Sequence, residues 1–499
     1  MTHYLSSTKG LALLRQAISL TAMHDSSGRD PPPRCAEGTR KQVIVEILTW
    51  IKDPNPRESV LWLNGPFGNG KSAIMQTITE TLRNDPQMSH LLAGSFFFGR
   101  QKPGRDKASY LIPTIAYQIA TNIPGMRKAI EEALGRDPTI LSKSIEAQLR
   151  YLITEPFRTI IVQPSSCDQS SPSFHTPTVI IDGLDECDGH DFQRQILSAI
   201  STAVFKDHVK LRFLIASRPE RQISEPFRAQ PLHQQHLPIT LVDDHETRDE
   251  LKQHMRAAFD GIYERHSDLM FSVKKPWPSD KQIAQLAYRA SGQFLYASTA
   301  LKFVDSEDAH PVDQLNLVLT RQSTAFSNMD ELYTLILESC LRQDILPSFL
   351  CALVYLRTYH HSVEMRNLET LSGLRTEDIS VLLRRLPAII AVEKELEVLR
   401  GHRWGEEFMR YYSPTISVHH QSFIEFLSDK QRSGRIFSAI EFEYDRMFGR
   451  LDNLVAECLS QRYGLSATQT SGLTEHLQPI IPPTYLSRHM GCYLLCVTA

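Results

Sequence analysis

Residues 61–74, LWLNGPFGNGKSAI, run from an apolar strand-like stretch through a glycine turn into a helix-like stretch, and they constrain the fold more than any other segment. Gly65, Gly70, Lys71 and Ser72 satisfy the pattern G-x-x-x-x-G-K-S/T. A chain that turns this tightly between strand and helix lays the two side by side, so the expected architecture is layered α/β. The glycines let successive backbone N–H groups face inward, and the helix N-terminus adds partial positive charge beneath them. The spacing therefore predicts a polyphosphate cradle from Gly65, Pro66, Phe67, Gly68, Asn69, Gly70, Lys71, Ser72 and Ala73. Lys71 is expected to bridge the β- and γ-phosphates, and the Ser72 hydroxyl to ligate Mg²⁺.

TVIIDGLDE (178–186) supplies the acids such a cradle needs. Its apolar run predicts a buried strand that places Asp182 at its carboxyl end, the edge where parallel α/β sheets bind ligands. Asp182 is expected to hold Mg²⁺ through water, with Asp185 and Glu186 placed to orient a water against the γ-phosphorus. Three acids beside a polyphosphate repel it without a cation, which implies Mg²⁺. A further strand, LRFLIASRP (211–219), ends at Ser217 and Arg218. Arg218 reads either as a γ-phosphate sensor or as an exposed arginine ahead of Pro219.

SVLWLN (59–64), AGSFFFGR (93–100), TVIIDGLDE and LRFLIASRP alternate with helical periodicities, which predicts a parallel sheet covered by helices on both faces. A chain of 499 residues exceeds one core. The expected organisation is an N-terminal helix and linker (1–34), a P-loop nucleotide-binding domain (35–242), a helical domain (243–345), a winged-helix domain (346–437) and a poorly defined C-terminal region (438–499). The winged helix is read from three helix candidates followed by short strands at AIIAV and TISVHH. The Ser/Pro-rich stretch 163–177 reads as a surface insertion. A net charge of −3 gives no field favouring nucleic acid, so nucleic acid is not an expected partner. No apolar run reaches the ~20 residues of a membrane span, and no secretory signal is evident, so a cytoplasmic location is expected. The eight cysteines lack paired zinc spacing.

These motifs, together with HDSSGRDPPPRCAEGTRKQVIVEILTWI, SFFFGR, SGQFLYAS, LYTLIL and HHQSFIEFL, resemble the NACHT domain NTPases of the STAND class, especially those of filamentous and mushroom-forming fungi. The resemblance spans roughly residues 20–437, and DGLDEC is its most specific marker. It implies ATP or ADP with Mg²⁺, Lys71, Ser72 and Asp182 as nucleotide and metal residues, and Arg218 as first sensor. His420 resembles the winged-helix histidine that touches the β-phosphate of ADP, although a histidine satisfied by backbone gives the same pattern. Nucleotide-dependent self-association with other chains is the implied mode of action, in self/non-self recognition or innate-immunity-like signalling. Where related switches carry G-x-P beside the base, this chain has Gly292, Gln293 and Phe294, which leaves ATP against GTP open. Alternatives are an AAA+-like remodelling NTPase, a degenerate nucleotide-binding scaffold, and a winged-helix DNA regulator suggested by Arg384 and Arg385. No N-K-x-D motif supports a small GTPase.

Overall fold

The computed structural model describes residues 10–100, 102–162, 176–320, 328–359, 363–393, 396–400, 407–411 and 414–463. Most of the expected insertion at 163–177 and the last 36 residues lie outside the described residues. The chain divides into two compact units, one of residues 1–258 and 279–297, the other of 259–278 and 298–499.

In the first unit five strands form one parallel sheet: β1 (Val60–Asn64), β2 (Leu92–Phe97), β3 (Thr178–Asp182), β4 (Arg212–Ser217) and β5 (His236–Thr240). Their spatial order is β2-β3-β4-β1-β5. The first four coincide with the four strands expected from apolar runs; each is buried along its whole length, as a sheet covered on both faces requires. β5 is an addition to that expectation. It carries Pro238, which a sheet tolerates at an edge, and only Ile239 of its five residues is buried.

Side chains alternate between the sheet's two faces, so the core divides in two. Leu61, Leu63, Phe97, Ile180, Leu214 and Ala216 pack with Ile47 and Ile51 of α1 (Lys41–Lys52) and with Ile74, Ile78 and Leu82 of α2 (Lys71–Asn84). Val60, Trp62, Phe96, Ile181, Phe213 and Ile215 face α3 (Leu111–Asn122) and α4 (His190–Ser201) through Ile115, Ile119, Ile196 and Ile200. Because the strands are parallel, their carboxyl ends share one edge. With β4 between β1 and β3, Arg218 leaves the sheet between the glycine turn and the acids.

One buried cation anchors α1. Arg212, at the start of β4, is fully buried and donates Nη1 to the Ile51 carbonyl at 2.7 Å. It also reaches the carbonyls of Trp50 and Asp53, so a guanidinium meets the orphan acceptors of the helix C-terminus.

The second unit is mainly helical among the described residues. In it α5 (Leu346–Tyr359), α6 (Met365–Ser372) and α7 (Thr376–Arg385) precede β6 (Ile390–Glu393), which pairs antiparallel with β9 (Thr415–Val418). This is the order the sequence suggested. Between them β7 (Leu396–Arg400) and β8 (Glu407–Tyr411) form a second hairpin that the sequence reading lacked. The region beyond 437, where sequence signals thin, carries a helix over Arg435–Tyr463. No helix among the described residues is long and apolar enough to cross a membrane.

Candidate functional site

The glycine turn has the geometry its composition requires. Gly68 and Gly70 sit at φ +77° and +84°, where a side chain would be strained. A Cβ at Gly65 would come within 2.9 Å of the Leu241 Cβ. Gly70 precedes the first turn of α2, and no side chain caps that end, so its backbone N–H groups keep their donor capacity. Asn69 is buried and donates Nδ2 to the Leu241 carbonyl at 3.3 Å, pinning the turn to the end of β5. Lys71 folds back over the turn, with Nζ donating to the carbonyls of Gly65 and Pro66, both at 2.8 Å. Burial lowers its pKa to about 8, partly opposed by Asp185 and Asp182.

The acids meet the turn at the same edge. Asp182 is buried, and the Ser72 side chain hydrogen-bonds to its carboxylate. Its Oδ1 is buried without a hydrogen-bond partner. Desolvation raises its pKa to about 6. Glu186 accepts the Arg100 backbone N–H at 3.1 Å, and desolvation followed by repulsion from Asp185 raises it to about 7. Asp185 is engaged through both oxygens: Oδ1 accepts the Arg218 backbone N–H at 2.9 Å, and Oδ2 lies 3.1 Å from Arg218 Nε. The Arg218 guanidinium also stacks over Phe67 of the turn, 4.9 Å from the ring centroid. Ser72, Asp182, Asp185, Glu186 and Arg218 thus gather around the cradle as the sequence suggested.

His420 lies in the other unit. Its Nδ1 accepts the Ser422 backbone N–H at 3.2 Å and caps the helix Gln421–Leu427. Tyr333 braces the same turn, 2.7 Å from the Ser422 Oγ.

Several residues around the cradle were not legible as site residues in the sequence. Arg40, buried at the start of α1, donates Nη1 to Thr247 Oγ1 at 2.9 Å and Nη2 to the Asn69 carbonyl at 3.0 Å. The Leu295 N–H reaches the Gly68 carbonyl at 3.2 Å, so the stretch after Gly292 docks on the turn. A cavity of about 50 Å³ lies beside it, lined among others by Arg40, Val43, Leu241 and Thr247. A larger cavity, about 560 Å³, lies elsewhere, between the N-terminal segment and the far half of α2, and holds none of the motif residues.

The expected repulsion by three uncompensated acids takes a different form. Lys71, Arg100, Arg218, Arg29 and Arg105 all act on or touch Asp182, Asp185 and Glu186, which makes five cations to three acids. The chain's own cations therefore outnumber the acids at this edge.

The cradle suits a polyphosphate with a divalent cation: Gly65 and Gly68 leave no room for side chains, and one buried oxygen of the Asp182 carboxylate has no hydrogen-bond partner. Ser72 and Asp182 offer few protein ligands, which suits Mg²⁺ because it keeps most of its ligands as water and phosphate oxygens.

Residues 39–218 match the family model described as Nephrocystin 3, N-terminal. No curated protein sequence matches the chain. Solved structures similar to it include Cdc6p from Pyrobaculum aerophilum (12% identity, TM-score 0.33, covering 83% of this chain and 97% of that one). Others are Drosophila ORC bound to DNA (12%, 0.35, 81% and 96%) and Aeropyrum pernix ORC1 in complex with DNA (14%, 0.34, 83% and 94%). Likeness at that level bears no functional argument. Sheet order and glycine turn together give the first unit the P-loop NTPase fold.

Proposed function

We propose that the chain is a nucleotide-dependent switch that binds ATP and ADP with Mg²⁺, hydrolyses ATP slowly and signals through self-association, as the NACHT resemblance implies for fungal self/non-self recognition and innate-immunity-like signalling. The supporting observation is the convergence of the turn, Asp182 with its unpartnered oxygen, and Arg218 on one sheet edge. In this reading Gly65–Ala73 hold the phosphates, Lys71 turns from its own loop carbonyls to the β- and γ-phosphates, and Ser72 and Asp182 hold Mg²⁺, which offsets phosphate charge. With both Asp185 oxygens taken by Arg218, Asp185 positions the arginine, and Glu186 is the acid left to orient a water. His420 supplies the contact that favours ADP.

A nucleotide drives such a switch only through differential affinity; moving the populations from 1:99 to 99:1 takes about 10⁴-fold, or about 5.5 kcal/mol. The test is the nucleotide that co-purifies with the chain, together with thermal stabilisation by added ATP and Mg²⁺. Bound ADP is expected, and Lys71→Ala should abolish the stabilisation. Stabilisation that survives Lys71→Ala removes the cradle from the reading.

A further inference from the structure

The N-terminal segment, which the P-loop pattern does not include, is built into the edge of the site. Leu14, Ile18 and Ala22 belong to the core on the α3 face, and the Ser19 N–H donates to Thr114 Oγ1 of α3 at 2.9 Å. The chain then crosses to the other face of the sheet. The His24 N–H donates to Ser95 Oγ of β2 at 3.3 Å, and the His24 carbonyl accepts Gln76 Nε2 of α2 at 3.0 Å. Arg29 follows, only 9% exposed. Its Nη1 donates to Gln76 Oε1 at 2.7 Å and to the His24 carbonyl at 3.3 Å, and its guanidinium lies 3.6 Å from the centroid of the Phe97 ring. Phe97 is the residue in register with Asp182. In a parallel pair that register puts both side chains on the face that carries α2.

A second guanidinium arrives from the loop after β2. Arg105 donates Nε to the Phe97 carbonyl at 3.0 Å and Nη2 to the Phe98 carbonyl at 3.3 Å. The next backbone link is to β3, because the Phe98 N–H donates to the Asp182 carbonyl at 2.9 Å. Two guanidiniums thus bracket the end of β2 beside Asp182. Burial weakens both, and Arg105 further weakens Arg29.

Neither arginine is in an ion pair among the described residues. The nearby Glu80 is taken by Arg34 and Gln76, both at 2.7 Å, and Asp185 is taken by Arg218. Burying two neighbouring guanidiniums without direct acid partners costs several kcal/mol unless negative charge lies close by. The charges within reach are the carboxylates of Asp182 and Glu186 and, under the nucleotide reading, the phosphates.

We propose that Arg29 and Arg105 are resident counter-charges of the phosphate site, which let the chain hold a nucleoside di- or triphosphate without a divalent cation and make the N-terminal segment part of that site. The inference rests on the nucleotide reading above. Its consequence has a sign: a fixed cation attracts a bare polyphosphate more strongly than one already neutralised by Mg²⁺. Removing the charge must therefore weaken the metal-free complex more than the metal-bound one. A packing defect would weaken both alike.

The test is calorimetric titration of the full chain with ADP and with ATP, in EDTA and in excess Mg²⁺. Arg29→Met, which keeps most of the packing over Phe97, is expected to lose about tenfold in affinity in EDTA and under about threefold in Mg²⁺, the tenfold matching one charge contact of about 1.4 kcal/mol. Arg29→Lys should restore the wild-type ratio of the two affinities. Arg105→Met, at a less buried position, should repeat the Arg29→Met pattern and covers the case in which Arg29→Met does not fold. Equal losses in both buffers, or no loss in either, overturn the inference while the nucleotide reading stands. A wild-type chain that binds in neither buffer overturns both.

Discussion

Asp182→Asn should make the nucleotide-free protein more stable at neutral pH while removing its response to Mg²⁺. Asp182 is 4% exposed, and desolvation is the largest influence on its pKa, which rises from 3.8 to about 6. The unfolded carboxyl releases its proton near 3.8 and the folded one near 6, so between these values the folded state holds the extra proton. Stability contributed by this group is therefore present at low pH, falls as pH rises through that window, and stays low above it. The full difference corresponds to about 3 kcal/mol. An amide recovers only part of it, because its new N–H₂ faces the same pocket and leaving a donor unmet costs about 1–3 kcal/mol. A gain of about 1–2 kcal/mol at pH 7.5 is expected. Urea denaturation without nucleotide, following the transition of the first unit, should show a raised midpoint at pH 7.5 and little difference from wild type at pH 5. A variant less stable than wild type at pH 7.5, or one whose gain is the same at both pH values, refutes the argument that Asp182 is held ionised at a cost for the sake of a cation.

Other perturbations separate structural from functional roles. Arg212→Met should cost about 3–5 kcal/mol, since it strips a fully buried cation from the carbonyls of Trp50, Ile51 and Asp53; urea midpoints check it, and a loss under about 1 kcal/mol would mean that water replaces the guanidinium. His420→Asn keeps a side-chain acceptor for the Ser422 N–H, so stability should change by under about 0.5 kcal/mol while ADP dissociates faster in a chase experiment. Unchanged ADP dissociation would leave His420 as a helix cap alone. Gly65→Ala should weaken nucleotide binding about tenfold by equilibrium dialysis, because its Cβ meets the Leu241 Cβ and, at 3.1 Å, the Leu241 carbonyl oxygen; wild-type affinity would show that the turn yields.

The sheet and the glycine turn were legible because local chemistry specifies them. Four apolar runs fully buried on both faces leave little choice of structure, and the glycine spacing carries its own backbone geometry. β5 was hidden for the opposite reason: His236, Pro238 and Thr240 give it neither an apolar run nor clean alternation, and only pairing with β1 makes it a strand. Arg29 and Arg40 sit in polar, irregular stretches whose sequence resembles any surface loop. Their burial follows from tertiary contacts with Gln76, Phe97, Asn69 and Thr247, which no periodicity records. Arg212 did leave a trace, since a charged residue opening a buried strand needs a partner. The pairing of Asp185 with Arg218 was out of reach, because it depends on β4 lying between β1 and β3.

That strand order also bears on how a bound nucleotide would be felt beyond the cradle. The glycine turn is held from three directions within the first unit. Arg40 grips the Asn69 carbonyl, Asn69 grips the Leu241 carbonyl, and Leu295 donates to the Gly68 carbonyl. A Cβ at Gly68 would lie 3.1 Å from that of Leu295, so turn and docked segment have little slack. Arg40 is itself fixed by Glu250, whose carboxylate accepts its backbone N–H at 2.8 Å, and by Thr247 on the same helix, His245–Arg265. Both this helix and the segment ending at Ala297 continue directly into the second unit. A shift of the turn on phosphate binding would thus load two of the three covalent crossings at once. Close-packed contacts transmit such a shift instead of absorbing it. Leu295→Gly strips the side chain that packs against the turn and leaves Gly68 in its left-handed conformation, and it should uncouple binding from response: nucleotide affinity retained within about threefold and nucleotide-dependent self-association lost. Retained self-association in sedimentation velocity would show that the signal leaves the cradle by another route, with Arg218 and β4 the next place to look.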